Sequence, residues 1–441
     1  MFGFALLVTL LAPLGFGTGN IDARGVVRFI EGNAGLLILW NSVIYIVNAL
    51  ALAVLVVAIQ TRLRANTPDW AAVTHALGLI WATLVIGAGM IANVAKERNR
   101  SMTLDQHLQA LIEMEACKAH THAVILRVQS GDGHVDFKGS AGDATPDTVF
   151  PIASIAKMFT ATLIMQLAAE GQIELDQMVQ NILTDVDLSG LHVVKDMDYG
   201  ASLTIRHLLH QTSGLADYYE SDLASDLKAG RDRSYGLKDV LQMTRALPPQ
   251  AAPDSGRSYY SDTNFQLLGA VIERVTGQSF DEVLKTRICA PLGLTQTGVL
   301  DGTDVGLPVY HEDRMLKIPQ ILTSMGPDGG IISTLDEMMV FLRAFMQNQL
   351  FQPQTAAQMR QWNKLFFPMQ YGYGLMRIKL PLWMTLFRAT PELVGHSGAS
   401  GSFAYYASEP DIYLIGTFNQ TDASTSPHWL HVRSAAHDRK T

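Results

Sequence analysis

The chain reads as an α+β domain carried behind an apolar N-terminal region, and three observations predict it. Strand-like segments lie at both ends of residues 99–422, helical periodicity fills the stretch between them, and apolar runs occupy the first hundred residues. Strands at both ends with helices between imply one sheet completed by the two ends of the domain, plus an all-helical insertion. Of the 441 residues, 48% are hydrophobic and 17% charged, against roughly a quarter charged in an ordinary soluble protein. Residues 1–100 hold seven Lys/Arg and four Asp/Glu, so the net charge of −8 resolves into +3 there and −11 beyond. An acidic body without a basic block excludes nucleic-acid binding, which needs a positive stripe to displace counterions. Apolar residues are plentiful throughout, which excludes disorder.

The first region, residues 1–98, is expected to cross a bilayer two or three times. Ala34–Ile59 and Ala71–Ala95 contain no Asp, Glu, Lys or Arg, and each exceeds the ~20 residues a spanning helix needs. Phe2–Gly17 is shorter, is interrupted by Pro13 and lacks a positive n-region, so it reads as a first or truncated span rather than a signal peptide. Asn41, Asn48 and His75 are polar groups at these spans and suit hydrogen bonds between helices. Arg24, Arg28, Lys96, Arg98 and Arg100 fall on the side that receives the following domain, and Arg62 and Arg64 on the other. By the positive-inside rule that domain faces the cytoplasm.

Residues 99–422 form the predicted α+β domain and 423–441 a polar tail. Thr103-Leu-Asp-Gln106 reads as a capping box opening an amphipathic helix with Leu104, Leu108, Leu111 and Ile112 on one face. Ala123–Gln129 and His134–Lys138 flank Ser130-Gly-Asp-Gly133, a hairpin signal. Helices are expected across Ser154–Glu170, Ile205–Leu209, Asn264–Thr276 and Leu335–Met346. Asp217–Gly236 is polar and suits a long surface loop near a site. Gly401–Ala407 and Ile412–Asn419 alternate and read as paired strands. Cys117 and Cys289 are the only cysteines, in different predicted elements and with no Cys/His cluster, so two isolated buried thiols are expected and no zinc site.

The segment richest in chemistry is Phe150-Pro-Ile-Ala-Ser154-Ile-Ala-Lys157. A serine at a helix start lies near backbone N–H groups and the positive dipole end. A lysine three residues later sits one turn on, on the same face. Its apolar neighbours Ile152, Ala153, Ile155, Ala156 and Met158 are expected to desolvate it and make a neutral amine base accessible, one way to activate a hydroxyl nucleophile. The tetrapeptide recurs at Ser225-Asp-Leu-Lys228, where Asp222, Asp226 and Arg231 would keep the lysine solvated; that match is set aside. No Gly-x-Ser-x-Gly occurs, since Gly398-Ala-Ser400-Gly-Ser402 fails at its last position.

What lifts Ser154 and Lys157 above coincidence is company in the right order. Tyr260-Ser261-Asp262-Thr-Asn-Phe follows, then Gly395-His396-Ser397-Gly398-Ala399, with supporting blocks at Thr204–Leu215, Gly329–Thr334 and Tyr371–Gly374. Over about residues 105–422 the chain resembles the serine β-lactamase and penicillin-binding protein superfamily, in its class C-like branch of DD-carboxypeptidases and esterases. The resemblance implies a β-lactamase/transpeptidase-like fold, an antiparallel sheet flanked by helices plus an all-helical subdomain. It implies that Ser154 is acylated, that Lys157 and Tyr260 share the proton work, with Tyr260 as phenolate-like base or shuttle, and that the amides of Ser154 and Ala399 form the oxyanion hole. Asp262, His396, Ser397 and Gly398 are implied as substrate-binding, His396 polarising Tyr260 or binding a substrate carboxylate. No metal or cofactor is implied, and an extracytoplasmic active site is, against the arginine count.

Asp262 departs from the family pattern, which has an asparagine there. An ionised aspartate only accepts hydrogen bonds, so the site would disfavour anionic substrates. Asp262 also suits the N-cap of the helix that follows, and His207 and His210 suit structural roles better than a metal site. The expectation is a membrane-anchored hydrolase of small esters or D-amino-acid peptides, a weak β-lactamase at best, with a small-molecule or peptide acyl substrate. The alternative is a membrane sensor that is acylated by its ligand without turnover.

Overall fold

Two strands far apart in sequence pair inside the main sheet, one strand in from its edge, as expected for a sheet completed by both ends of the domain. The structure, a computed structural model, describes residues 103–302, 306–381 and 390–421, together with Val54 and Val57. The three apolar runs and the polar tail otherwise lie outside the described residues; Val54 and Val57 are both helical and exposed. Among the described residues, no helix is long and apolar enough to cross a membrane.

Helix α1 (Leu104–Ala116) opens with the predicted capping box: Gln106 N donates to Thr103 Oγ1 at 3.2 Å and Thr103 N to Gln106 Oε1 at 2.9 Å. Within the unit Leu108–Arg433, β1 (Ala123–Ser130) and β2 (Asp136–Gly142) form the first hairpin. A small antiparallel sheet of β3 (Phe150–Pro151), β4 (Gly298–Val299) and β5 (Ile331–Ser333) runs in the order β3-β5-β4. The main sheet continues with β6 (Asn363–Phe366), β7 (Met369–Tyr371), β8 (Met376–Ile378), β9 (Leu393–Ser397), β10 (Ser402–Ala407) and β11 (Ile412–Thr417). Its order is β6-β7-β8-β9-β10-β11-β1-β2, antiparallel at every pairing, with Ile125 opposite Thr417 and Tyr406 opposite Tyr413.

The helices between are α2 (Ala156–Ala169), α3 (Ile205–Leu209), α4 (Asp222–Ala229), α5 (Leu237–Arg245), α6 (Asp262–Thr276), α7 (Pro319–Gly329) and α8 (Leu335–Met346). Helix α2 is apolar on nearly every side and is buried accordingly; Phe159 stacks on Phe341 of α8 with ring centroids 3.6 Å apart. Helix α7 bends at Gly326 and Pro327, and α6 meets that bend through Gly269, where a Cβ would overlap the Pro327 ring.

Two expectations are corrected. Asp217–Gly236 is not simply a surface loop: it holds a short 3-10 turn at Tyr218–Glu220 and all of α4, capped by Ser221 and ended by left-handed Gly230. Polar composition concealed the four anchors Tyr218, Leu223, Leu227 and Tyr235, which are buried in a second apolar cluster. Of the thiols, Cys289 is buried but Cys117 is exposed, just past the end of α1; both are free.

Candidate active site

Ser154 sits in a 3-10 turn, Ala153–Ile155, that leads from β3 into α2. Ala153 takes φ 47°, a left-handed conformation costly for a residue with a side chain and often found at functional turns. The turn is held by Ile152 N donating to the Ile331 carbonyl of β5 at 2.9 Å and by Ser402 Oγ donating to the Ile152 carbonyl at 2.7 Å. Gly398 lies against it so closely that a Cβ there would overlap Ser402 Oγ and the Ile152 carbonyl. Ser154 and Ala399, the two residues expected to supply the oxyanion amides, therefore lie on either side of one tight junction.

Lys157 is completely buried one turn along α2. Its Nζ donates to Ser154 Oγ at 3.1 Å and to the Asp328 carbonyl at 2.7 Å, and forms an ion pair with Asp262 Oδ1 at 2.7 Å. It also lies 5.1 Å from the centre of the Tyr260 ring. Burial alone pulls the lysine down, but Asp262, Asp328 and Tyr371 outweigh it, and its pKa stands above the ordinary lysine value. The expectation of a neutral amine is thus corrected: the side chain is buried, but its tip is held by the Asp262 carboxylate and the Asp328 backbone carbonyl from distant segments.

Those carboxyls divide unequally. Burial, and then the nearby Asp262, raise Asp217 well above the usual carboxylate range; its Oδ1 accepts from the amides of Tyr219 and Asp262, each at 3.1 Å. Burial, with Asp262 adding to it, pushes Asp328 up to about 8; its Oδ2 accepts from Tyr218 Oη at 2.8 Å and Gln266 Nε2 at 2.9 Å. Asp262 is the carboxylate that pairs with the ammonium. It is not the helix N-cap, which is Ser261; Asp262 is the first helical residue of α6, where the dipole favours a negative charge.

Tyr260 presents a partly exposed ring, but its hydroxyl is buried and makes no hydrogen bond. Burial, reinforced by Asp262, raises its pKa well above 10, while the contact with Ser154 opposes the rise. The resting group is a phenol, which corrects the phenolate and leaves the shuttle. His396, on β9, is fully buried. Its Nδ1 donates to the Ser397 carbonyl at 2.7 Å, and Tyr371 Oη donates to its Nε2 at 3.4 Å. Burial, helped by the nearby Lys157 charge, lowers it to about 3. A neutral imidazole offers no charge to a substrate carboxylate, so that expectation is corrected; it orders Tyr371, whose ring stands edge-on to Tyr260 at 5.9 Å between centroids. Ser397 bonds Tyr405 Oη through its Oγ at 2.7 Å.

Ser154, Lys157, Tyr260, Asp262, His396 and Gly398 are thus joined by contacts in one site, and the supporting blocks hold it in place. Gln211 accepts the amide of Ser261 at 3.0 Å and the side chain of Asn264, and Gly374 passes so close to α2 that a Cβ would overlap Ala161. His207 completes the cap of α3 with Thr204 and bonds Asp254 at 3.0 Å, and His210 meets the Gln361 carbonyl at 2.7 Å. Among the described residues no cluster could hold a metal. Ser225 and Lys228 are exposed on α4. Sequence reasoning missed Asp217, Asp328, Gln266, Tyr218 and Tyr371. Asp217 follows the Thr204–Leu215 block by two residues and Asp328 directly precedes Gly329, so adjacency to quoted motifs was the available signal.

A serine bonded to a buried lysine, with a tyrosine over both, defines the class: the protein is a serine hydrolase. It belongs to the beta-lactamase family, whose model matches residues 115–437. It is similar to penicillin-binding protein 4 of Amycolatopsis lactamdurans, 29% identical over 293 residues, 61% of this chain and 71% of that one. It is also similar to esterase EstB of Burkholderia gladioli, 28% identical over 243 residues, 48% of this chain and 60% of that one. Among solved structures, a D-stereospecific amidohydrolase from Streptomyces sp. is 28% identical with a TM-score of 0.63, over 75% of this chain and 98% of that one.

Proposed function

We propose that this protein hydrolyses small esters or D-amino-acid amides and peptides through an acyl-Ser154 intermediate, as a member of the class C-like branch, anchored in a membrane by its N-terminal runs. The observation that carries the reading is the hydrogen bond from Lys157 Nζ to Ser154 Oγ at 3.1 Å; the amides of Ser154 and Ala399 would serve the oxyanion. The relatives named above include an esterase and a D-stereospecific amidohydrolase, and Asp262 in place of asparagine disfavours the anionic β-lactams. A hollow of about 50 Å³ is lined by Ala153, the residue before Ser154, by Ala399, and by Leu316, Ile318 and Leu322. Its walls are mostly apolar and include no cationic side chain, which suits a short apolar acyl group.

The test is intact-mass analysis of the protein after a fluorophosphonate probe. One adduct on Ser154 is expected, absent in Ser154→Ala; an adduct that survives the substitution would refute the reading. Steady turnover of p-nitrophenyl butyrate with slow nitrocefin hydrolysis is expected alongside. The protein is expected to stay in the membrane fraction through a carbonate wash, and release by carbonate would remove the anchoring part.

A further inference from the structure

The resting site has an apparent contradiction: the group nearest the nucleophile is an ammonium, and the tyrosine beside it is a phenol, so neither can take the serine proton directly. Lys157 Nζ donates to Ser154 Oγ and to the Asp328 carbonyl, and it pairs with Asp262 Oδ1, whose contact is an ion pair rather than a directed hydrogen bond. Only one of those acceptors is a base, and it lies 2.7 Å away. Asp328 and Asp217 are poor candidates: Asp328 meets the lysine through its backbone carbonyl, and its carboxyl is engaged by Tyr218 and Gln266, while Asp217 is committed to two backbone amides.

We infer that Asp262 is the base of the acylation step and that Lys157 is the relay between it and Ser154. The inference rests on the acyl-serine reading above. As Ser154 Oγ bonds to the substrate carbonyl carbon, the carbonyl π pair moves onto its oxygen. One Nζ–H bond of Lys157 breaks first as its proton passes to Asp262 Oδ1; the amine then turns about its Cε–Nζ bond so that the freed lone pair faces Ser154, and the Oγ–H bond breaks as a new N–H bond forms on Lys157. Lysine is an ammonium again and aspartate has become the neutral acid. When the tetrahedral intermediate collapses, the C–O or C–N bond breaks, and the proton returns by the same route to the leaving group. An asparagine at this position can accept a hydrogen bond from Lys157 but cannot take its proton at neutral pH. The residue that departs from the family pattern is therefore the one that supplies the basicity.

The groups facing this pair are Asp217 and Tyr219 from the turn before α4, Tyr218 and Tyr235 of the same stretch, Asp328 of α7, Tyr260 beside α6, Tyr371 of β7 and His396 of β9. All are buried or nearly so, and none stands between Nζ and Oδ1.

The experiment is the pH profile of kcat/KM for a p-nitrophenyl ester in the full chain and in Asp262→Asn and Asp262→Glu. With asparagine the lysine must shed its proton to water. A loss of about 100-fold at pH 7 is expected, with the residual rate climbing as pH rises, a climb the unaltered protein lacks. Glutamate, which restores a carboxylate, is expected to recover part of the rate without the climb. An asparagine variant as active as the original, or one that loses activity with an unchanged profile, would overturn the relay. If asparagine prevents folding, as judged by circular dichroism, the glutamate variant decides: a profile rising with pH overturns the relay and one without a rise supports it. Failure of Ser154 to label in the unaltered protein would instead retire the acyl-serine reading itself.

Discussion

One ammonium among three carboxyl groups sets the balance of this site. Lys157 neutralises Asp262, and burial keeps protons on Asp217 and Asp328. Replacing Lys157 by methionine leaves a buried carboxylate without its partner, at a cost of about 3–5 kcal/mol. Lys157→Met is expected to lower the urea midpoint sharply and to abolish labelling, whereas Ser154→Ala abolishes labelling with the midpoint unchanged. Asp328 acts in the opposite sense. Its carboxyl ordinarily titrates near 3.8 and does so at about 8 in the folded chain. Between these values the folded state keeps a proton that the unfolded chain has lost. The contribution of Asp328 is therefore whole below pH 4 and is lost as pH rises to 8. Asp328→Asn removes that dependence. Its melting temperature is expected to gain on that of the original protein from pH 4 to pH 8, and equal spacing at both ends would count against the buried acid. At this scale the gathering of Ser154, Lys157 and Tyr260 was legible in the sequence because each sits in a short ordered motif. Their protonation states were not, because Asp262 and Asp328 reach Lys157 from chain segments more than a hundred residues away.

The elements that hold these side chains were legible where periodicity or chemistry at the ends was strong. Thr103 and Gln106 cap α1, and α3 and α8 keep the boundaries that the apolar spacing indicates. The stretch from Asp217 to Gly236 was not, since a few buried side chains among many polar ones carry no period that a sequence displays. The bend of α7 at Gly326 and Pro327 belongs to the same group: it brings the Asp328 carbonyl to Lys157 and lets Thr160 Oγ1 donate to the Pro327 carbonyl at 2.6 Å. The loop from Tyr371 to Gly374 is another tight joint. Gly374 has φ +69° with no room for a Cβ against Ala161, so Gly374→Ala is expected to destabilise the unit by more than about 1 kcal/mol, through both strain and overlap. Equilibrium unfolding in urea measures it.

The whole catalytic unit is bounded by the pairing of β1 with β11, which were correctly expected to share a sheet. Because β11 lies between β10 and β1, removing the chain from Ile412 onward takes out an interior strand rather than an edge. Such a truncated protein is expected to be insoluble and unlabelled by fluorophosphonate, and a soluble, labelled product would show that the sheet closes without it. The same pairing sets a schedule during synthesis. Ser154, Lys157, Tyr260 and Asp262 all leave the ribosome before the strand that completes their scaffold, so a nascent chain carries every catalytic group while lacking the sheet that aligns them. Hydrolytic competence is therefore expected late in translation, and a chain released from a ribosome stalled before β11 is expected to be inert.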